Sequence, residues 1–304
     1  MTLLPGTALA AVMLLAACFA TGAPLTIIDP EAHYPEGPLW RAGKLLYVEY
    51  SAGNIKTWDG VRTGSFWHQD GCGPSGLIER RDHLLIACYD GNYLVELDGS
   101  GREVQRLRRD VDGHVFTGPN DFAADDRGGI YFSASGAYDV KAPITGRLLY
   151  LRDDGKSIVE VANTLHYPNG LTVSHDRHHL LVAEMLAARL LSFPIESAGA
   201  LGARTVWARM QDLAQPTAGT NAYNGPDGLK LGPDGLYYIA QNGSGRVLVV
   251  DDARKLVRTI DVPTPYVTNM AFDPHDASVV FITGAFEQWK PPFAGVVYRW
   301  HSER

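Results

Sequence analysis

The chain has 304 residues, of which 45% are hydrophobic and 20% are charged, and its formal net charge is −7. This composition is typical of a globular protein that can bury a core, and all-β proteins often reach this length as one domain. The negative charge, together with the lack of a dense Lys/Arg cluster, argues against nucleic acid as a partner.

The N-terminal segment has the composition of an export signal. Ala8 to Ala20 is an apolar run that is too short to span a bilayer comfortably. The residues Leu15 to Cys18 resemble a bacterial lipobox, although no Lys or Arg precedes Arg41. We therefore expect residues 1–23 to be a signal peptide or a lipoprotein signal. The protein would then be periplasmic, or held on the bacterial envelope by a lipid at Cys18, which is the only membrane contact expected.

After this segment a short phrase, Pro-x-Gly-Leu or a variant of it, occurs six times and each time leads into an alternating strand. The copies are Pro35-Glu36-Gly37-Pro38-Leu39, Pro74-Ser75-Gly76-Leu77, Pro119-Asn120-Asp121-Phe122, Pro168-Asn169-Gly170-Leu171, Pro226-Asp227-Gly228-Leu229 and the degraded Val267-Thr268-Asn269-Met270. Successive copies are 39, 45, 49, 58 and 41 residues apart. Strand-rich repeats of this length predict a propeller with one copy per blade.

Each copy continues with a tight polar turn, a second strand rich in β-branched and aromatic residues, and a third strand. In the fifth copy the turn is Gly232-Pro233-Asp234-Gly235, and Asp-Gly is strong hairpin chemistry. We predict an all-β protein, a single six-bladed β-propeller of four-stranded antiparallel blades over residues 24–304. Leu25 to Ile28 is expected to close the ring as the outer strand of the last blade. Residues 196–224 form the longest interruption, with a short helical turn within 208–213.

Two cysteines remain after the signal, Cys72 and Cys88, and they flank the turn Glu79 to Asp82 of one predicted hairpin. A disulfide is expected in an oxidising compartment. A pair of buried free thiols is the alternative.

The second residue of the phrase is polar in every copy, and a propeller brings equivalent positions together around one axis. Glu36, Asn120, Asn169 and Asp227 supply two carboxylates and two amide carbonyls, an all-oxygen set of the kind that Ca²⁺ binds. We expect one divalent cation there, Ca²⁺ first, with Mg²⁺, Mn²⁺ or Zn²⁺ as alternatives. No Cys or His occupies this position, which argues against a dedicated zinc site. The remaining members, Ser75 and Thr268, are expected to be rim or core hydroxyls.

An open cation site polarises a carbonyl and lowers the pKa of bound water. We assign Asp227 as the catalytic base, because it is shorter than Glu36 and follows the long loop. Asp121 is either an orienting residue behind the site or a turn cap. Several aromatic and His residues lie in loops or at strand ends, where they can line a pocket over the cation. The predicted substrate-binding residues are Asn120, Tyr138, His114, Trp67 and Tyr223.

These motifs resemble those of the senescence-marker-protein/gluconolactonase/luciferin-regenerating-enzyme family, and the likeness covers roughly residues 25–300. The resemblance implies that Glu36, Asn169 and Asp227 bind the cation directly and that Asn120 binds cation or substrate. It also implies hydrolysis, most often of lactones and in some relatives of organophosphorus esters.

The chain departs from the sugar-lactonase pattern at two positions. Those members have an Arg two residues before the Asn of the Asn-Asp pair and a Glu downstream, whereas this chain has Gly118 and, 18 residues after Asn120, Tyr138. It is therefore more similar to the drug-responsive lactonase and diisopropyl-fluorophosphatase branch. We expect a monomer or weak homo-oligomer that hydrolyses a small, less polar lactone or related ester. The alternatives are a non-catalytic ligand-binding propeller with a structural calcium and an organophosphate-type esterase.

Overall fold

A computed structural model describes residues 25–302, except residue 218. The predicted export signal, with Cys18, lies outside the described residues. Within them the chain forms 25 strands, two 3-10 turns (Tyr50–Ala52 and Met185–Ala187) and one short helix, α1 (Met210–Leu213). No helix in this part of the chain is long and apolar enough to cross a bilayer.

The strands form six sheets. In chain order they are β1 (Leu25–His33), β2 (Pro35–Arg41), β3 (Lys44–Glu49), β4 (Asn54–Trp58), β5 (Thr63–His68), β6 (Pro74–Arg80), β7 (His83–Cys88), β8 (Tyr93–Leu97), β9 (Glu103–Leu107), β10 (Pro119–Ala124), β11 (Ile130–Ala134), β12 (Gly146–Leu151), β13 (Ile158–Leu165), β14 (Pro168–Val173), β15 (His179–Glu184), β16 (Arg189–Ser197), β17 (Ala200–Leu201), β18 (Thr205–Arg209), β19 (Pro226–Leu231), β20 (Tyr237–Gln241), β21 (Arg246–Val250), β22 (Leu256–Asp261), β23 (Tyr266–Asp273), β24 (Asp276–Ala285) and β25 (Ala294–His301).

Each sheet is one blade, and the predicted six-bladed propeller is confirmed. Blades 1, 2, 3 and 5 are the antiparallel meanders β2–β5, β6–β9, β10–β13 and β19–β22. Blade 4 has five strands, β14–β18, because both β17 and β18 pair with β16. Blade 6 contains β23–β25, and β1 pairs with β25 as its outer strand, so the N-terminal strand closes the ring as predicted.

The recurring phrase forms the innermost strand of every blade, and neighbouring innermost strands contact one another around the axis. In each innermost strand the pairing with the second strand of the blade is irregular within or directly beside the phrase. Examples are the segments between Pro168 and Leu171 and between Pro226 and Leu229. A bulge of this kind turns side chains away from the regular alternation. The polar residue after each proline is therefore freed from the sheet pattern.

The glycine of the phrase permits close packing of the innermost strands. A Cβ on Gly76 would lie 2.2 Å from the Asn120 carbonyl oxygen, and one on Gly170 would lie 2.3 Å from the Leu229 nitrogen. The alternating apolar residues fill six clusters, one between each pair of neighbouring blades. The core is thus a ring around a narrow polar axis.

Cys72 and Cys88 form a disulfide with an S–S distance of 2.06 Å. Cys88 ends β7, Cys72 lies two residues before Pro74, the first residue of blade 2, and both are fully buried. The bond joins the two ends of one hairpin, and the free-thiol alternative does not hold in this structure.

Candidate active site

A cavity of about 190 Å³ lies at the axis of the ring. Five of the six polar residues of the phrase line it: Glu36, Ser75, Asn120, Asn169 and Asp227. The sixth, Thr268, instead donates a hydrogen bond to the Pro35 carbonyl (2.7 Å) and so joins blade 6 to blade 1. The four residues predicted to bind a cation are therefore brought together in one place.

The two asparagines are oriented through their amide nitrogens. Asn120 Nδ2 donates to Ser135 Oγ (3.1 Å), and that hydroxyl donates to the Pro168 carbonyl (2.7 Å). Asn169 Nδ2 lies 3.5 Å from Met185 Sδ. With the nitrogens used in this way, the amide carbonyl oxygens are the atoms available to a ligand.

The two carboxylates are buried, with Glu36 7% and Asp227 4% exposed. Burial is the main cause that raises the pKa of both groups, and their mutual repulsion adds to it for Asp227. Glu36 Oε1 accepts from the Gly37 N–H (3.1 Å), and Asp227 Oδ2 accepts from Asn242 Nδ2 (3.0 Å). No Lys or Arg is among the described residues that line the cavity.

These donors fit a hard divalent cation. Two buried carboxylates need an opposite charge, and two carboxylates with two amide oxygens match the ligands that Ca²⁺ prefers. Glu36, Asn120, Asn169 and Asp227 would hold the ion.

A second polar group lies on the axis beside the cavity. Lys230 Nζ donates to Asp121 Oδ1 and Oδ2 (2.9 and 2.8 Å), and Asn269 Nδ2 donates to Oδ2 (3.2 Å). Asp121 and Asn269 occupy the place that glycine takes in other copies of the phrase. Asp121 is thus part of an inter-blade network, and its carboxylate is neutralised by Lys230.

The sequence prediction missed a second repeated position, the residue directly after the second strand of a blade. Its N–H donates to the carbonyl of the residue that precedes the phrase proline, at 2.8–3.1 Å in five blades. These residues are Tyr50, Tyr89, Ser135, Met185 and Asn242. They form part of the cavity wall or orient the residues that line it. Their constant position in the repeat was the signal that could have identified them, although their residue types differ from blade to blade.

The tyrosines predicted to bind substrate lie at this end of the ring. Tyr138 lines the cavity, and its hydroxyl donates to the Tyr223 carbonyl (2.6 Å). The rings of Tyr138 and Tyr223 meet edge to face at 5.5 Å. Tyr223 belongs to the loop before blade 5, and it supports the wall through Tyr138.

Two other predicted substrate-binding residues lie elsewhere. Trp67 is on the outer strand β5 and packs on the core between blades 1 and 2. His114 lines a separate surface groove with Arg147 and Glu160. Neither residue is among the described residues that line the axial cavity, because position at a strand end does not reveal which side of the ring a residue occupies.

His114 also belongs to a small acidic group with Asp110 and Asp112. The Asp110 carboxylate is already bound by Arg147 Nη1 (3.0 Å) and by the His114 N–H (2.8 Å). Asp112 and His114 are exposed. Asp110, the buried member of this group, therefore already has its partners within the protein.

Comparison with known proteins places the chain among lactonase-like propellers. It is 28% identical over 264 residues to pentonolactonase XacC of Haloferax volcanii, which covers 85% of this chain and 84% of that protein. A gluconolactonase structure from Xanthomonas campestris superposes with a TM-score of 0.75 at 21% identity, covering 92% and 90% of the two chains. A regucalcin structure from Agrobacterium tumefaciens, described as a calcium-binding protein, gives 0.74 at 19% identity, covering 92% and 94%.

The two structures share the propeller fold with this chain. The profile of the SMP-30/gluconolactonase/LRE-like region matches residues 34–286, from the start of blade 1 into blade 6. This span includes all four predicted cation ligands. The chain therefore belongs to the SMP-30/gluconolactonase/LRE-like family.

Proposed function

We propose that the protein is a metal-dependent lactone hydrolase whose active site is the axial cavity. The observation that supports this most directly is the convergence of Glu36, Asn120, Asn169 and Asp227 on one small cavity. The lactonase named among the relatives gives the reaction class, and the calcium-binding regucalcin structure favours Ca²⁺.

A divalent cation bound by these four residues would polarise the lactone carbonyl. Asp227 accepts the proton of the attacking water, while Asn242 holds its carboxylate through Oδ2. A bond forms between the water oxygen and the carbonyl carbon, the ring C–O bond breaks, and the proton passes to the leaving oxygen. The product is a hydroxy acid.

The test is hydrolysis of a panel of lactones by the purified protein, followed by acid release, with Ca²⁺ present or removed by chelator. We expect activity to vanish with chelator and to return with Ca²⁺. Asp227→Asn should lower kcat by about 10²–10⁴-fold, the usual range for loss of a positioned base. Glu36→Gln should weaken Ca²⁺ binding measured by calorimetry.

Two exposed residues supply matched controls. Asp70→Asn changes a side chain that is 97% exposed, and Glu31→Gln changes an exposed residue of β1. Both controls should keep full activity and Ca²⁺ affinity. Full activity in Asp227→Asn would contradict the proposal. If the protein hydrolyses no lactone and the chelator only lowers its melting temperature, the result would contradict the proposal and favour a binding propeller.

A further inference from the structure

The cavity wall contains a continuous arc of tyrosine rings, which we call the aromatic arc: Tyr34, Tyr50, Tyr89, Tyr167 and Tyr138. Successive ring centroids are 5.8, 6.0, 6.3 and 4.8 Å apart. All five rings line the cavity. Trp289 extends the arc outward, because it stacks on Tyr138 at 5.6 Å and is 53% exposed. An apolar, flat ligand would meet ring surface from the mouth to the floor.

Most hydroxyls of the aromatic arc are already used by the protein. Tyr50 donates to Asp90 Oδ1 (2.9 Å), Tyr167 to the Tyr89 hydroxyl (3.0 Å) and Tyr89 to the Gly136 carbonyl (3.3 Å). Tyr138 donates to the Tyr223 carbonyl. Four of the five donors are thus directed into the wall. The arc therefore presents rings, and few hydrogen-bond donors, to a ligand.

Two of these tyrosines occupy positions where the backbone favours glycine. The residue before the phrase proline has φ of +54° at Gly73 and +61° at Gly118, but the same place holds Tyr34 (φ +50°) and Tyr167 (φ +62°). A bulky residue in this conformation is strained, and strain of this kind concentrates at functional sites. Blades 1 and 4 thus have a tyrosine at a position whose backbone conformation favours glycine.

The wall has no place for the charged groups that would hold sugar hydroxyls. A Cβ on Gly118 would lie 2.8 Å from the Tyr89 ring, so a long basic side chain there would displace the arc. The only carboxylates among the described lining residues are Glu36 and Asp227, both at the floor. Apart from the predicted cation ligands and the tyrosines, Ser75 and Gln288 are the only polar side chains among the described lining residues. A polyhydroxylated lactone would therefore lose more hydrogen bonds to water than it regains in the cavity.

We propose that the substrate is a compact, uncharged lactone that carries an aromatic ring, and that Tyr34 and Tyr167 determine this specificity by contacting the ring. The inference rests on the proposed lactone hydrolysis at the same site. The cavity size agrees with it, because a dry cavity of about 150 Å³ is known to hold benzene and this one measures about 190 Å³.

The test compares 3-isochromanone with D-glucono-δ-lactone. Both are six-membered lactones with an alkoxide leaving group, and one carries a fused benzene ring where the other carries hydroxyls. We expect kcat/KM to be at least about 100-fold higher for 3-isochromanone. Tyr34→Gly and Tyr167→Gly copy the residue that blades 2 and 3 have at this place. Each should lower kcat/KM for 3-isochromanone about tenfold, mainly through KM, because ring contacts contribute on this scale.

Tyr34→Phe and Tyr167→Phe are the matched controls, since they keep the ring and should keep the preference. Each glycine variant should lower the ratio of kcat/KM for 3-isochromanone to kcat/KM for the gluconolactone. Asp70→Asn, which changes an exposed side chain, should leave both values within about twofold of those of the wild type. Faster hydrolysis of the gluconolactone by the wild-type protein would overturn the substrate class while leaving the hydrolase proposal intact.

Hydrolysis of other lactones of the panel but of neither of these two would overturn the inference alone. If no lactone of the panel is hydrolysed, the hydrolase proposal fails, and binding still tests the aromatic arc. In that case 3-isochromanone should raise the melting temperature of the wild-type protein and of the Phe variants, but not of the Gly variants. Absence of any shift with the wild-type protein would overturn the inference.

Discussion

Lys230 Nζ donates to both carboxylate oxygens of Asp121, at 2.9 and 2.8 Å, and this bond joins the innermost strands of blades 3 and 5, which are not neighbours in the ring. The Asp121 side chain is 2% exposed and that of Lys230 is 23% exposed. Because Asp121 follows the predicted cation ligand Asn120, the pair fixes the strand that carries this ligand.

Removal of either charge should destabilise the protein. Lys230→Met leaves Asp121 buried without its counter-charge, which typically costs 3–5 kcal/mol in a fully buried pair. We expect about 2 kcal/mol, since Lys230 keeps some solvent, measured as the free energy of unfolding in urea. Asp121→Asn should cost a similar amount, and the double variant should recover part of the loss. A strictly additive double variant would show that the two charges do not interact.

The exposed pair Arg81–Asp153 is the control for this cycle. Its Nη2–Oδ1 distance is also 2.8 Å, but its side chains are 65% and 59% exposed. Asp153→Asn should change the free energy of unfolding by less than about 1 kcal/mol, as surface pairs do. Because the two ion pairs have similar distances but different exposure, the comparison shows how much of the free-energy change is due to burial.

The disulfide should contribute measurably to stability. Cys72 and Cys88 are separated by 16 positions, and closing a loop of this size restricts the unfolded chain by about 3 kcal/mol. Replacing both cysteines with Ala should lower the free energy of unfolding by about this amount. Because both sulfurs are buried, reductant should have little effect on the folded protein and a large effect when added during unfolding. An unchanged free energy of unfolding in the double variant would contradict this expectation.

The repeat made the fold and the floor of the site predictable. In most copies a polar residue is followed by a glycine, and this glycine is required where the innermost strands pack closely. Glu36 and Asp227 could be placed at the axis for this reason alone. The wall was harder to predict. Tyr50 and Met185 share one backbone hydrogen bond with their counterparts in other blades, but their side chains have nothing in common. Their position in the repeat therefore indicated that they belong to the wall, but a comparison of residue types could not reveal this.

Loop residues were predicted least well, because their side of the ring depends on contacts between distant segments. Tyr138 lines the cavity. Its hydroxyl donates a hydrogen bond to the backbone carbonyl of Tyr223, 85 residues away, and the two rings pack against each other. Trp67 is equally aromatic and also lies at a strand end, yet it packs between blades 1 and 2. Composition alone cannot distinguish these two cases.

Ring closure should depend on pH through Asp29. Burial raises the pKa of this carboxyl, but hydrogen bonds from Lys56 and Tyr47 outweigh burial and hold the pKa below its usual 3.8. Asp29 is in β1, whereas Lys56 and Tyr47 are in blade 1, so the contact spans the closure of the ring. A depressed folded-state pKa contributes stability above the unfolded value, and this contribution is lost as the pH falls through the folded value.

Asp29→Asn should therefore lower the free energy of unfolding at pH 7 by about 1–3 kcal/mol, the cost of breaking hydrogen bonds to a buried charged group. The difference from the wild type should shrink as the pH falls past 3.8 and vanish below the folded-state pKa. Urea unfolding across this range measures it, with the exposed Asp70→Asn as the control. A difference that stays constant with pH would show that the ionised carboxyl is not responsible.

Ser135 should tune cation affinity without contacting the cation. Its hydroxyl accepts from Asn120 Nδ2 and donates to the Pro168 carbonyl, which fixes the direction of the Asn120 carbonyl. Groups behind metal ligands typically change affinity by 10–100-fold. Ser135→Ala should thus weaken Ca²⁺ binding by about tenfold in calorimetry. Ser133→Ala is the matched control, because this equally buried hydroxyl bonds only to the backbone of Asn169 and Asp121. Both variants should lose about 1 kcal/mol of stability, and equal losses of Ca²⁺ affinity would mean that affinity follows general stability rather than the orientation of Asn120.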